Sequence, residues 1–262
     1  MRENTVRSIW ARDGVVVNGW LAFSCAFSAE VMAHQGFDSL VVDMQHGLVG
    51  YEAATAMFGT ISTTSVMPMA RVPWNDPSWI MKALDAGAWG LICPMINTRA
   101  DAEELVRRCK YPPRGYRSFG PVRASIYGGP DYGDRANDEL IVMPMIETAQ
   151  ALENLDEILD VAGVDAIYVG PADLSLALGC KPRLDQTDAP VVEAQKKIVE
   201  TCRRHGKPAG IHTASSEYAQ KMIDDGYRFV TLTSDARMLA EKASQMVDAV
   251  RKTSGSGQLP AY

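Results

Sequence analysis

A (β/α)8 TIM barrel is the fold this sequence predicts. Eight short apolar, β-branched runs recur along the chain, helix-like stretches with apolar spacing of three and four separate them, and no Gly-rich phosphate turn follows the first run. Alternating strand and helix imply a parallel sheet, because each crossover must carry the chain back over a dozen or more residues. Eight repeats suit closure of that sheet. An open, doubly wound sheet would usually show G-x-G-x-x-G behind its first strand, where this chain reads FSCAFSAEVM.

The predicted strands begin with VVVNGWLAF (15–23), SLVVDM (39–44) and VMPMARV (66–72). Asp76-Pro77 then opens a helix over SWIMKALDAG, the carboxylate capping it and the proline taking its first position, and Gly87 stops it. GLICPMI (90–96) is the fourth strand, and Thr98 caps RADAEELVRRCK behind it. Residues 111–139 break the rhythm. Their YPPRGYRSFGP and SIYGGPDYGDRAND strings are too rich in Pro and Gly for a continuous helix, and their four arginines and four tyrosines suggest a long, ordered loop serving as a lid or subunit contact. LIVMPMI (140–146), DAIYVG (165–170), PAGIHT (208–213) and RFVTLT (228–233) complete the set. Ala-Gly or Asp-Gly steps before strands, as in DAGAWGLICP and DDGYRFVTL, use glycine's tolerance of left-handed dihedrals. The expected organisation is one barrel domain over 1–252 and a flexible tail over 253–262, in the KTSGSGQLPAY string.

With 262 residues, 47% of them hydrophobic, the chain can bury one sizeable core. A net charge of −6 with scattered Lys and Arg argues against a nucleic-acid partner. No run approaches the roughly 20 apolar residues of a membrane span, and the N-terminus lacks the apolar core of a signal peptide, so no membrane partner and a cytoplasmic location are expected. Cys25, Cys93, Cys109, Cys180 and Cys202 form no C-x-x-C pair and no regular spacing, which points to reduced thiols.

Active sites of such barrels lie at the carboxyl ends of the strands. That singles out Asp43 and His46 after the second strand, Arg71 ending the third, Glu147 ending the fifth, Asp173 after the sixth and His212 ending the seventh. Glu147 shares parity with Ile141, Met143 and Met145, so it projects from their face, toward the axis if they line the interior. Asp173 converging on the same mouth would repel it and raise one pKa unless a cation or strong donor compensates. Carboxylate oxygens with open positions suit hard ions such as Mg2+ or Mn2+. Asp43 and His46 are three residues apart in a turn, near enough for the carboxylate to orient one imidazole nitrogen and leave the other as a base. Arg71 keeps its charge at any working pH. Each residue also has a plainer reading: Glu147 as a surface group or cap, Asp173 as a cap of the following helix, Arg71 in a structural salt bridge, His46 as a satisfied core histidine.

The strings VVDMQHG, MARVP, MPMIET, GVDAIYVGPADLS and GKPAGI, in this order, resemble those of the HpcH/HpaI aldolase family over roughly residues 15–250. The resemblance implies a barrel of the phosphoenolpyruvate/pyruvate superfamily type. It also implies class II aldolase chemistry, in which 4-hydroxy-2-keto acids and a pair comprising pyruvate (or a related keto acid such as hydroxypyruvate) and an aldehyde interconvert. By that resemblance Glu147 and Asp173 hold a divalent cation (Mg2+, Mn2+ or Co2+), and Arg71 holds the keto or enolate oxygen. His46 with Asp43 transfers the proton of the C4 hydroxyl. Trp20 walls the pyruvate pocket, Gly170, Pro171 and Ala172 contribute to substrate binding, and Asp85 approaches the site of a neighbouring subunit in a hexamer built as a trimer of dimers. Trp20 and Asp85 could equally be a core residue and a solvated helix residue.

Three positions depart from the family pattern. Gln45 stands where many members carry Glu, Met145 where many carry Gln, and His212 where relatives often have an apolar residue near the aldehyde acceptor; His212 is therefore expected to touch the acceptor's polar end. A Schiff-base aldolase needs a lysine inside the barrel near a strand end. Lys82, Lys110, Lys196, Lys197 and Lys221 fall in helical stretches, Lys181 in a loop, and Lys207 before the seventh strand. The remaining alternatives are a CoA-thioester lyase of the citryl or malyl type and a non-catalytic, metal-dependent keto-acid binder.

Overall fold

The eight runs are apolar enough to be covered on both faces, as a parallel sheet wrapped in helices requires. In the computed structural model, which describes residues 1–251, each run becomes a strand. They are β1 (Val16–Leu21), β2 (Ser39–Asp43), β3 (Met67–Arg71), β4 (Gly90–Cys93), β5 (Ile141–Ile146), β6 (Ile167–Val169), β7 (Ala209–Thr213) and β8 (Phe229–Ser234). Neighbours pair in parallel in chain order, and β8 pairs with β1 to close the barrel. Every residue of β2, β4 and β5 is buried.

The local signals operate as expected. Asp76 accepts from the amides of Ser78 and Trp79 ahead of the helix Pro77–Asp85, and Thr98 forms a reciprocal capping box with Asp101. Gly87 and Gly226 take φ of +108° and +110° before β4 and β8, where a side chain would be strained.

Residues 111–139 differ from the expected long loop. They contain two short helices, Val122–Gly128 and Tyr132–Glu139, because the Pro and Gly residues fall between the helical stretches or at their edges. The segment lies at the amino ends of the strands. Lys110 Nζ donates to the carbonyls of Asn137 and Leu140, the residue preceding β5, and the Arg2 amide donates to Gly128. It is therefore not a lid over this chain's own mouth. The N-terminal helix Thr5–Trp10 closes the same end: Asn4 Nδ2 donates to the carbonyls of Trp89 and Glu139, and Trp10 Nε1 to that of Arg228. The expected tail, 253–262, lies outside the described residues. No helix among the described residues is long and apolar enough to cross a membrane.

Candidate active site

The carboxyl ends of β1 to β3 place Trp20, Asp43 and Arg71 side by side, since Trp20 is in register with Val41, and Asp43 with Arg71. Arg71 grips Asp43 with two bonds, Nε to Oδ1 at 2.8 Å and a terminal nitrogen to Oδ2 at 2.6 Å. Trp20 Nε1 adds a third at 3.1 Å, and the amides of Gln45 and His46 donate to Oδ1. Burial alone would push the Asp43 carboxyl up; the Arg71 guanidinium and these hydrogen bonds outweigh it and hold the carboxyl below its ordinary value.

This arrangement corrects the expected Asp43–His46 pair. Asp43 binds the backbone of His46, not its imidazole, because Arg71 and Trp20 already occupy the carboxylate. The His46 side chain stands exposed on the rim of the cavity. Arg71 is indeed in an ion pair, as its plainer reading held, yet it also lines the cavity and lies over the Trp20 ring, 4.8 Å from its centroid.

Glu147 follows β5 on the face of Met145, which lines the cavity. Its Oε1 accepts from the Met95 amide at 2.8 Å. Met95 has φ of +57°, a strained setting for a side-chain-bearing residue that aims its N–H at the carboxylate. Burial raises the Glu147 pKa to about 7; the Met95 bond opposes this, the charge on Asp173 adds to it, and Arg71 opposes it. Asp173 is exposed in the first turn of the helix Pro171–Ala177, and no side chain caps that helix, so the capping role is not taken. Gly170 is needed for space: a Cβ there would lie 2.4 Å from Glu147 Oε2 and 2.8 Å from Met145 Cε.

Among the described residues, neither Glu147 nor Asp173 is ion-paired to a basic side chain, and no three His, Cys, Asp or Glu side chains converge as a ready metal cage. Glu147 and Asp173 offer carboxylate oxygens, the donor type that a hard cation takes alongside water or substrate oxygens. The residues present fit a divalent ion of that kind.

The cavity they share, of about 60 Å3, is lined by all the sequence-predicted site residues at the mouth except Asp43 and Glu147, which lie just beneath it. Trp20 is both core and wall, only 2% exposed. His212 meets the Trp20 ring edge-on at 4.8 Å, and its Nδ1 lies 3.1 Å from the Tyr168 hydroxyl. Burial, then the nearby Arg71 charge, lowers its pKa to about 3, so the ring is neutral. Asp85 is elsewhere. It ends its helix at the amino side of the barrel, ion-paired to the buried Arg117 and away from this chain's own mouth.

Sequence reasoning missed Tyr168, Leu184, Ser234 and Arg237 on the cavity wall, and Met95 behind Glu147. Tyr168 shares parity with Gly170 and could have been found; the positive φ of Met95 left no sequence signal. Among the described residues, no lysine lines the cavity. Lys207 Nζ instead binds the carbonyls of Leu159 and Val161, on the amino side of the barrel. A larger open cleft of about 820 Å3 also lies on that side, lined by mixed charges including Lys196, Glu200, Arg203 and Asp225, away from the carboxyl ends.

The chain is similar to known proteins over nearly its whole length. The HpcH/HpaI aldolase/citrate lyase pattern matches residues 18–251. A hydroxypyruvate/pyruvate aldolase of Rhizorhabdus wittichii is 40% identical over 248 residues, covering 95% of this chain and 99% of the relative. A 4-hydroxy-2-oxo-heptane-1,7-dioate aldolase of Escherichia coli is 35% identical over 249 residues, covering 93% and 94%. The crystal structure of an HpcH/HpaI aldolase/citrate lyase family protein from Burkholderia cenocepacia superposes with a TM-score of 0.88 at 30% identity, covering 95% of this chain and 99% of that one. Shared pattern, sequence and barrel extend over nearly the whole length, and the chain belongs to the HpcH/HpaI aldolase/citrate lyase family.

Proposed function

We propose that this chain is a divalent-metal-dependent aldolase. It reversibly cleaves 4-hydroxy-2-keto acids to an aldehyde and pyruvate, or a related 2-keto acid such as hydroxypyruvate. The observation that carries the reading is the buried Glu147 carboxylate at the strand ends, raised to about pKa 7 by burial and the Asp173 charge, with no ion pair to a basic side chain among the described residues. The aldolase names of the two relatives point the same way.

Glu147 and Asp173 would hold the cation, which when bound supplies Lewis-acid stabilisation of the charge developing on the keto oxygen. Arg71, fixed by two bonds to Asp43, has N–H donors to spare and directs them at that oxygen, a contribution often worth about 3 kcal/mol of barrier. Trp20 and Met145 wall the keto acid and exclude water. His46, on the rim, takes the proton of the C4 hydroxyl during cleavage and returns it during addition. The small cavity suits a short keto acid better than a CoA thioester.

Assembly into a homo-oligomer, a hexamer of three dimers, completes the proposal. Phe27, Leu48 and Trp74 are exposed around the mouth, and Phe119, Val122 and Ile126 at the opposite end, where Arg123 donates to the carbonyl next to Asp85. Docking one end on the other would cover both apolar groups and bring Asp85 toward a neighbour's exposed His46. The five unpaired cysteines suit a cytoplasmic setting.

EDTA is expected to abolish turnover and Mg2+, Mn2+ or Co2+ to restore it, while borohydride with pyruvate leaves activity intact. Turnover that survives exhaustive chelation, or pyruvate trapped on a lysine, overturns the reading.

A further inference from the structure

His212 ends a chain of hydrogen bonds that crosses the barrel interior. Ser39 Oγ donates to Asn18 Oδ1 at 2.8 Å, and Asn18 Nδ2 to Thr231 Oγ1 at 3.0 Å. Tyr168 donates to the same Thr231 oxygen at 2.7 Å and meets His212 Nδ1 at 3.1 Å. Ser39, Asn18, Thr231 and Tyr168 are all buried, with at most 1% exposure. Water cannot compete for these bonds, so their polarity is set within the protein.

A phenol has one proton to donate. In the polarity that sends this proton to Thr231, Tyr168 accepts toward His212 and the imidazole proton sits on Nδ1. The other nitrogen, Nε2, then carries a bare lone pair. His212 lines the cavity, and its Nε2 has no protein partner yet is not shut away from solvent among the described residues. The Trp20 ring fixes the plane of the imidazole. Arg71 and Arg237, on the same cavity, can only donate. They suit carbonyl and carboxylate oxygens. A neutral Nε2 instead suits a substrate O–H.

We propose that His212 is a specificity-determining residue that accepts a hydrogen bond from a substrate hydroxyl, so that the site favours a hydroxylated substrate over its deoxy counterpart, with Tyr168 as the residue that sets the His212 tautomer. The inference rests on the aldolase reading above. The hydroxyl can come from a hydroxylated keto acid or from a hydroxyaldehyde, and the two are separated by experiment.

The test measures kcat/KM for the four pairings of pyruvate or hydroxypyruvate with acetaldehyde or glycolaldehyde, in the wild type, His212→Leu and Tyr168→Phe. The preference for the hydroxylated member is expected to fall about tenfold in His212→Leu. The fall appears along the keto-acid arm or along the aldehyde arm, which identifies the source. Preferences unchanged along both arms overturn the proposal. Independently, 15N-histidine spectra of the wild type report the tautomer; with four histidines in the chain, loss of one signal set in His212→Leu makes the assignment. Protonated Nδ1 is expected, with mixed tautomers in Tyr168→Phe, and a proton on Nε2 in the wild type overturns the proposal even if His212→Leu does not fold. Wild-type protein that turns over no pairing defeats the aldolase reading itself, and this inference with it.

Discussion

Replacing Glu147 by glutamine should stabilise the metal-free protein, and only at high pH. The wild-type carboxyl moves from an ordinary 4.5 to about 7 on folding, which at 1.36 kcal/mol per pH unit corresponds to roughly 3 kcal/mol. The shift is upward, so the folded state holds the proton more tightly than the unfolded chain. Its stabilising contribution is full below about pH 4.5 and is lost as pH rises through 7. Glutamine keeps an oxygen for the Met95 amide and removes the charge. In EDTA, Glu147→Gln should therefore exceed the wild type by about 3 kcal/mol above pH 8, and the difference should shrink steadily toward pH 4.5. Urea unfolding followed by circular dichroism across this range measures it. Adding Mg2+ at a hundredfold its dissociation constant should restore about 2.7 kcal/mol to the wild type at pH 8 and far less to the variant. A stability difference that does not vary with pH, or a variant less stable than the wild type at pH 8, would show that Glu147 is not the buried carboxylate of raised pKa described.

Three further outcomes are expected. Arg71→Lys cannot keep both bonds to Asp43, so kcat should fall by about 10^2- to 10^3-fold, and steady-state kinetics showing less than a threefold change would remove Arg71 from the oxyanion role. Gly170→Ala places a methyl 2.4 Å from Glu147 Oε2; displacing that oxygen should weaken cation binding about 10- to 100-fold by calorimetry while costing about 1–3 kcal/mol of stability, and unchanged affinity would separate Glu147 from the metal. His46→Asn should lower cleavage about 10^2- to 10^4-fold with little change in unfolding midpoint, since the side chain is exposed and its described bond is through the backbone amide; near-wild-type turnover would assign the proton transfer elsewhere.

The fold was legible because each strand is a short apolar run and several helix starts carry their own chemistry, as Asp76-Pro77 and Thr98 illustrate. The site residues at strand ends were legible for the same reason: knowing where β3, β5 and β7 stop fixes Arg71, Glu147 and His212 at the mouth. Pairing among them was not. Asp43 and His46 are close in sequence, but a turn directs the amide of His46 toward the carboxylate and its ring to the rim, while Arg71, 28 residues away, lies next door through strand register. Sequence distance is a poor guide wherever the sheet supplies the neighbour. Residues 111–139 show a second limit. Their Pro and Gly content forbids one long helix but permits two short ones, and whether those form depends on buried contacts such as Arg117 with Asp85 and Tyr132.

Asp235 links the two ends of the strand order. Its carboxylate accepts from the amides of Ala22 and Phe23 just past β1 and from the Ser28 hydroxyl, while its own backbone continues directly from β8. The turn that follows Trp20 thus waits, during synthesis, for a residue made more than two hundred positions later. A nascent chain halted after β7 carries Asp43, Arg71 and Glu147 but has no seam to zip, and the Ala22–Phe23 turn beyond the tryptophan has no carboxylate to accept its amides. Completion of the last strand both closes the barrel and supplies the acceptor for the turn behind its first strand.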